Sequence, residues 1–301
     1  MKTIVKIFLI SIFTFALTCS CQKEVDNVKF PEYKSKLVIS GFLSPDETTH
    51  YISVLDNQII YGNPYVPYDP GTISGTISNG IKEISLRSIF KKFTNSQDSA
   101  FLGFVFTSSE LLVQEGMTYT LKVKSDKGFS VESSCTVPLK KNLFPTLDTV
   151  RITGTNSYDN SQYSYLQSNF YFTDIKGEEN YYSILTEITR YNSNSSYSNF
   201  ANTNLVDPKY GCFSDKDIEG ERLKVPLGII YPKLYANDDS AFLKIYLLNT
   251  DKPYYDYHRS ILNYNSGETP FTEASPIYSN IKEGLGIFAA YTYDSIIVRL
   301  K

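Results

Sequence analysis

Residues 117–137 hold the clearest structural signal in the sequence. In "MTYTLKVK", Met117, Tyr119, Leu121 and Val123 alternate with Thr118, Thr120, Lys122 and Lys124. A period of two puts the first set on a dry face and the second on a wet one, as in a half-buried strand. "SDKG", 125–128, supplies a short turn ending in glycine. "FSVESSCTV" then returns with Phe129, Val131, Ser133, Cys135 and Val137 on one face, which points Cys135 into the core. Composition agrees with this β reading, because 25 Tyr and 19 Phe favour pleated, half-buried surfaces and long amphipathic helical patterns are lacking.

The rest of the chain is read in the same way as mainly β. "KLVISGFL" opens the first domain as a strand, with Leu37, Ile39, Phe42 and Leu43 apolar and Gly41 marking a bulge or bend. Several such strands over 36–140 fit an immunoglobulin-like β-sandwich. The stretch 59–75 is too rich in Pro and Gly for a core strand and reads as a long loop. Its Tyr61, Tyr65 and Tyr68 are candidate ligand contacts, set against ordinary loop packing.

A boundary is placed at Pro138 to Asn142, with a second β-rich domain over 145–301. There "NYYSILTEITR" carries Ile184 and Ile188 on one face, "AFLKIYLLN" reads as a central strand apolar on both sides, and 191–204 is polar and low in complexity. One short helix is expected at 251–264, capped by Asp251 with Pro253 in its first turn. Tyr254, Tyr257, Ile261 and Tyr264 share one face of it and are assigned to packing.

Residues 1–20 combine Lys2 and Lys6 with an apolar run from Ile7 to Leu17 and have no acidic residue, the pattern of an export signal too short to span a bilayer comfortably. Cys21 follows Ser20 and precedes Gln22, Lys23 and Glu24. This arrangement resembles a lipobox followed by the export signal of outer-membrane surface lipoproteins in Bacteroidota. Cys21 is therefore the expected lipid anchor, Lys23 and Glu24 the export signal, and 21–35 a tether. More than one acyl chain is needed for stable anchoring, which triacylation would satisfy. The remaining cysteines, Cys135 and Cys212, leave two readings open: a disulfide, as exported proteins favour, or buried thiols.

Without residues 1–20 the chain keeps 27 of its 29 basic side chains against 32 acidic ones. A mildly acidic chain with no basic run argues against a nucleic-acid partner. His50 and His258 are far apart in sequence and are read as surface or capping residues rather than as metal ligands. No motif for a serine nucleophile, a zinc protease or a phosphate loop is present. The best metal candidate is "DKDIEG", with Asp215, Asp217 and Glu219 spaced as at the start of a calcium loop. Its twelfth position is Pro226 where a bidentate Glu is needed, so a solvated turn is the competing reading.

The C-terminal stretch adds a resemblance. Pro270-Phe271-Thr272-Glu273, Tyr278-Ser279-Asn280-Ile281 and Gly284-Leu285-Gly286-Ile287-Phe288 resemble the ending of a family of Bacteroidota lipoproteins known only as a domain of unknown function. Ala274 and Ala289-Ala290 depart from its usual pattern, while the lipobox, "KLVISGFL" and the 116–128 hairpin extend the likeness over nearly the whole mature chain. The resemblance implies genes often placed beside a TonB-dependent receptor and no assigned activity. The shared motif reads as structure, with glycines at tight turns before a final strand.

The expected role is therefore a non-enzymatic outer-membrane surface lipoprotein, an accessory or ligand-binding partner of such a receptor, with no cofactor. A surface hydrolase using unrecognised carboxylates, or an envelope scaffold or adhesin, are the alternatives.

Overall fold

A computed structural model describes residues 35–57, 72–92, 100–155, 162–192, 195–200, 207–228, 239–264 and 275–300. From Ser35 onward the chain forms one compact unit, mainly β, with one α-helix among the described residues. The strands in chain order are β1 (Leu37–Leu43), β2 (Thr49–Asp56), β3 (Ile73–Ser78), β4 (Glu83–Ser85), β5 (Arg87–Lys92), β6 (Ala100–Thr107), β7 (Thr118–Ser125) and β8 (Ser130–Thr136). The second half adds β9 (Thr146–Thr155), β10 (Gln162–Thr173), β11 (Tyr181–Asn192), β12 (Ser195–Phe200), β13 (Phe213–Ser214), β14 (Arg222–Pro226), β15 (Ser240–Thr250), helix α1 (Lys252–Leu262) and β16 (Leu285–Arg299).

The hairpin read from the sequence is β7–β8, with Tyr119 opposite Cys135 and Leu121 opposite Ser133. Tyr119, Leu121, Val123, Val131, Ser133 and Cys135 are buried. A one-faced hairpin needs an opposing apolar layer. β7 and β8 join β3 and β4 in a four-stranded sheet. Its apolar face packs with Leu37, Ile39, Ile52 and Phe104, which come from β1, β2 and β6 of a nine-stranded sheet. Each such side chain, fully buried, contributes roughly 1.5–3 kcal/mol.

β1 runs parallel to the C-terminal strand β16, with Ile39 opposite Gly286 and Gly41 opposite Phe288, and β16 then pairs antiparallel with β15. This joint requires glycine. Gly286 has φ +100°, and a Cβ there would lie 2.0 Å from the Ile39 carbonyl oxygen. The glycine-rich motif therefore sits inside the last strand, where a neighbouring backbone approaches, and not only in the turn before it. Asn280 explains the segment ahead of that strand. Its side chain accepts from Phe288 N at 3.0 Å and donates to Phe288 O at 2.7 Å, taking the place of a neighbouring strand.

The nine-stranded sheet thus continues across residues 138–142, an irregular segment tied down by Lys140 to Asp46 at 2.7 Å. Ile281, Phe288 and Ala290 from the C-terminal stretch lie in the core built by the N-terminal strands. A second core, with Phe170, Phe172, Tyr182, Ile184, Leu243 and Ile245, lies between the β14–β10–β9 sheet and the strands β11 and β15. A third cluster, including Cys212, Leu248, Tyr254, Ile287 and Ala289, packs beneath α1.

Helix α1 starts as its sequence dictates. Asp251 Oδ1 accepts from Tyr254 N at 3.0 Å, and Pro253 stands in the first turn. The aromatic stripe is not a continuous packing face, however. Tyr254 is buried, while Ile261 and Tyr264 are 43% and 48% exposed, because only the first turns of the helix lie on the sheet. His50 differs from its expected surface position: it is buried, stacks on Phe106 at 4.8 Å, and burial lowers its pKa to about 4. His258 is half-buried against Tyr254, with its ring 4.0 Å away.

Of the two readings left open for Cys135 and Cys212, the structure has the second: both are free, buried thiols. Cys135 belongs to the first core and Cys212 to the cluster beneath α1, where its Sγ donates to Tyr255 O at 3.6 Å. Each thiol is surrounded by its own packing, so neither faces the other.

Candidate functional site

Two crossings between sheets meet at one end of the second core. The chain leaves β10 in the three-stranded sheet and enters β11 in the large one through residues 174–180. It returns from β13 to β14 through residues 215–221. Thr173 pairs with Arg222 and Tyr181 with Ser214, so the two crossings lie side by side. A crossing takes backbone N–H groups out of their ladders, and these must find other acceptors.

Carboxylates supply many of them. Asp174 Oδ2 accepts from Gly220 N at 2.7 Å, and its Oδ1 accepts from Tyr182 Oη at 2.6 Å and Asn180 Nδ2 at 3.3 Å. Asp215 Oδ2 accepts from Asn180 N at 2.7 Å, while Asp215 N donates to Asn180 O at 3.1 Å. Glu219 Oε1 accepts from Gly177 N. The turns that permit this carry Gly220, at φ +68°, where a Cβ would press on Lys176.

The arrangement brings carboxylate oxygens of Asp174, Asp215 and Glu219 within 4.8 Å of one another, the two aspartates buried and the glutamate exposed. Asp215 and Glu219 also line an open cleft of about 620 Å³, with Glu178, Tyr181, Lys252 and Tyr255 around it. Lys252 and Tyr255 come from α1, and the Tyr255 ring stacks on Tyr181 at 4.9 Å. Burial raises the Asp215 pKa, and the neighbouring carboxylates of Asp174 and Glu219 add to this against the Asn180 N–H. Tyr181 is 7% exposed, and its hydroxyl lies beside the Glu179 carboxylate. Burial and the nearby Glu179 carboxylate raise its pKa.

Of the sequence candidates for calcium, the fold brings Asp215 and Glu219 together and adds Asp174, which the sequence reading missed. The side chain of Asp217 lies outside the described residues. No contiguous calcium loop forms, because Asp215–Asp217 is a 3-10 turn and Pro226 pairs with Asn169 in the β10–β14 ladder. The available signal for Asp174 was the "DIKGEEN" turn, an acid ahead of a glycine as in "DKDIEG". Cys21, Lys23, Glu24, Tyr61, Tyr65 and Tyr68 lie outside the described residues.

Residues 24–297 match a protein family described as a domain of unknown function, DUF4249. The comparison with curated proteins gives no match.

Proposed function

Because the chain belongs to the DUF4249 family, whose function is itself unknown, we propose its role from its own residues: an outer-membrane surface lipoprotein that acts as a non-enzymatic accessory or ligand-binding partner of a TonB-dependent receptor. The observation that carries this reading is the setting of Cys21. A basic start and an apolar run lead to Ser20-Cys21, and Lys23-Glu24 follow at once. The family match begins at residue 24, next to that anchor. On this reading attachment rests on the acylated cysteine. The open cleft between α1 and the crossings supports a binding role, since it combines charged side chains with a stacked tyrosine pair.

Affinity purification of the protein in mild detergent from its native outer membrane, with mass spectrometry of whatever co-purifies, tests the proposal. A TonB-dependent receptor in stoichiometric amount is the expected result. Recovery of the protein alone from an intact membrane would overturn the stable partnership and favour a free-standing binder or a hydrolase. Cys21→Ser is expected to release the protein from the membrane fraction, and unchanged fractionation would remove the anchor from the reading.

A further inference from the structure

We infer that strand β9 is an interaction edge that takes a second copy of this chain, the two β9 strands pairing antiparallel about a two-fold axis at Val150. β9 is the outer strand of the β14–β10–β9 sheet, and its register with β10 runs without a bulge from Thr146 opposite Tyr171 to Thr155 opposite Gln162. On the other side of β10, Leu227 N donates to Ser168 O at 2.9 Å, so Ser168 directs its backbone toward β14 and away from β9. Thr149 lies opposite Ser168 and therefore turns its own N–H and C=O away from β10. Leu147 and Thr153, two positions before it and four after it, do the same. None of these three has a backbone partner on that side among the described residues.

The other sheet edges are guarded. β4 is three residues long, β12 is six, β14 is five and contains Pro226, β5 carries Arg87, Lys91 and Lys92, and β8 is bridged by Lys282. Short length, proline and basic side chains are what keep a free edge from pairing. β9 is ten residues long, has no proline and no lysine, and is rich in threonine, valine and isoleucine, which favour strand pairing. Its side chains from Asp148 to Arg151 are exposed on both faces, and Val150 is 53% exposed. Only Leu147 of this strand packs on the second core among the described residues, so the β9–β10 hairpin stands clear of it. A two-stranded ribbon is marginal by itself and gains from further strands.

The edge dictates the chemistry of its occupant, because a row of alternating N–H and C=O groups is satisfied only by another extended backbone. The sequence of β9 fits that role for itself in one register. With Val150 at the axis, Leu147 lies opposite Thr153 of the second copy and Asp148 opposite Ile152, so no like charges are directly opposed. Val150 meets Val150, which covers the most exposed apolar side chain of the strand. Neighbouring registers fit less well. An axis at Arg151 or Asp148 would oppose two like charges, an axis at Thr149 would set Val150 against Asp148, and an axis at Ile152 would shorten the pairing. The antiparallel overlap also draws the two cores apart: the two Leu147 residues stand six positions out of register, roughly 20 Å along the strands. The result is one four-stranded sheet shared by two chains. It is independent of the receptor partnership.

The full chain in mild detergent is followed by sedimentation over a concentration series. A reversible monomer–dimer equilibrium is expected, with Kd of about 1–100 μM, since the interface is small and largely polar. Val150→Lys changes an exposed side chain and opposes two like charges at the axis. Dimerisation should weaken at least about tenfold, with thermal unfolding of the dilute protein unchanged. Thr149→Pro removes an N–H that faces the second copy and none that faces β10, and should act in the same direction.

Val150→Cys tests the register. Val150 falls at a non-hydrogen-bonded pair across the axis, with Cα atoms about 4.5 Å apart, a spacing that a disulfide can bridge. Mild oxidation should give a covalent dimer that the parent, whose Cys135 and Cys212 are buried, does not form. A parent that stays monomeric at every concentration, with no cross-linking of Val150→Cys, would overturn the pairing. So would a Val150→Lys protein that dimerises as tightly as the parent. Cross-linking of Val150→Cys to a different envelope protein in the native membrane, and not to itself, would assign the edge to a foreign strand and overturn the second copy as its occupant.

Discussion

Around the β7–β8 hairpin the interior is mostly apolar, with Ser44, His50 and Ser133 among its polar members. At the end of the molecule where the crossings meet α1, the buried residues include Asp174, Asn180, Asp215, Asn249, Thr250 and Asp251. The first region is held by packing between two sheets. In the second, side-chain acceptors also stand in for missing ladder bonds, as Asp174 does for Gly220 and Asp215 for Asn180. Apolar packing is non-directional and tolerates small shifts, whereas a polar network holds only when each member finds its partner. The crossing region is thus more specific in geometry and more exposed to changes of charge.

The two regions share one sheet, and its joint is the parallel pair β1–β16. Gly286→Ala is expected to have the largest effect of any change considered, because the new Cβ would meet the Ile39 carbonyl at 2.0 Å on a backbone with φ +100°. A loss above about 4 kcal/mol follows from forcing such a contact apart, enough to unfold many domains. Denaturant unfolding checks it. If the variant unfolds in two steps, one region survives without the joint and the regions are separable. Unfolding at the parental midpoint would show that the strand can move away.

Sequence patterning revealed the two regions unequally. The hairpin was readable because its dry face repeats every second residue and its turn is local. The start of α1 was readable because Asp251 and Pro253 are cap signals within one turn. The β1–β16 pairing was not, since a parallel neighbour from the far end of the chain leaves no local mark. The near-continuous burial of Ile287, Phe288, Ala289 and Ala290 is the trace that such a central strand leaves. Asp174 escaped for a related reason. Its partners Gly220 and Tyr182 are fixed by sheet pairing, and an acid after a strand otherwise resembles a solvated turn. The helical stripe misled at Ile261 because periodicity gives a helix face but not how far the sheet beneath it extends.

Asp251 tests the polar region by pH. It caps α1 through Oδ1, while its Oδ2 is buried with no partner among the described residues. Burial raises its pKa from 3.8 to about 7, against the backbone N–H groups near it. The folded state therefore holds a proton that the unfolded state releases. The resulting stability is complete below about pH 4 and is lost as pH rises through about 7. At about 1.4 kcal/mol per unit the loss is at most about 4 kcal/mol. Asp251→Asn keeps a capping oxygen without the charge, so it should gain on the parent between pH 5 and pH 8, as read by thermal unfolding. His50, whose depressed pKa gives the opposite dependence, is common to both proteins and cancels in the difference. A gap between variant and parent that does not change with pH would show that Asp251 stays charged and solvated.

The smallest expected effect concerns the thiols, and it bears directly on how independent the regions are. A bond between Cys135 and Cys212 would staple the first core to the cluster beneath α1 and contribute about 2–4 kcal/mol. With both cysteines free, adding a reductant should leave the unfolding temperature unchanged. Burial raises the Cys212 pKa to about 12 and the Cys135 pKa well above its usual value, so little thiolate forms at neutral pH. Alkylation mapped to the two peptides should accordingly be slow in the native protein and fast in denaturant. The order in which they react as denaturant rises then reports the regions separately: Cys135 becoming reactive with opening of the sandwich core, Cys212 with detachment of α1. Simultaneous labelling at every denaturant concentration would mean that the polar and apolar regions open as a single cooperative unit, with the β1–β16 joint transmitting the loss of either one to the other.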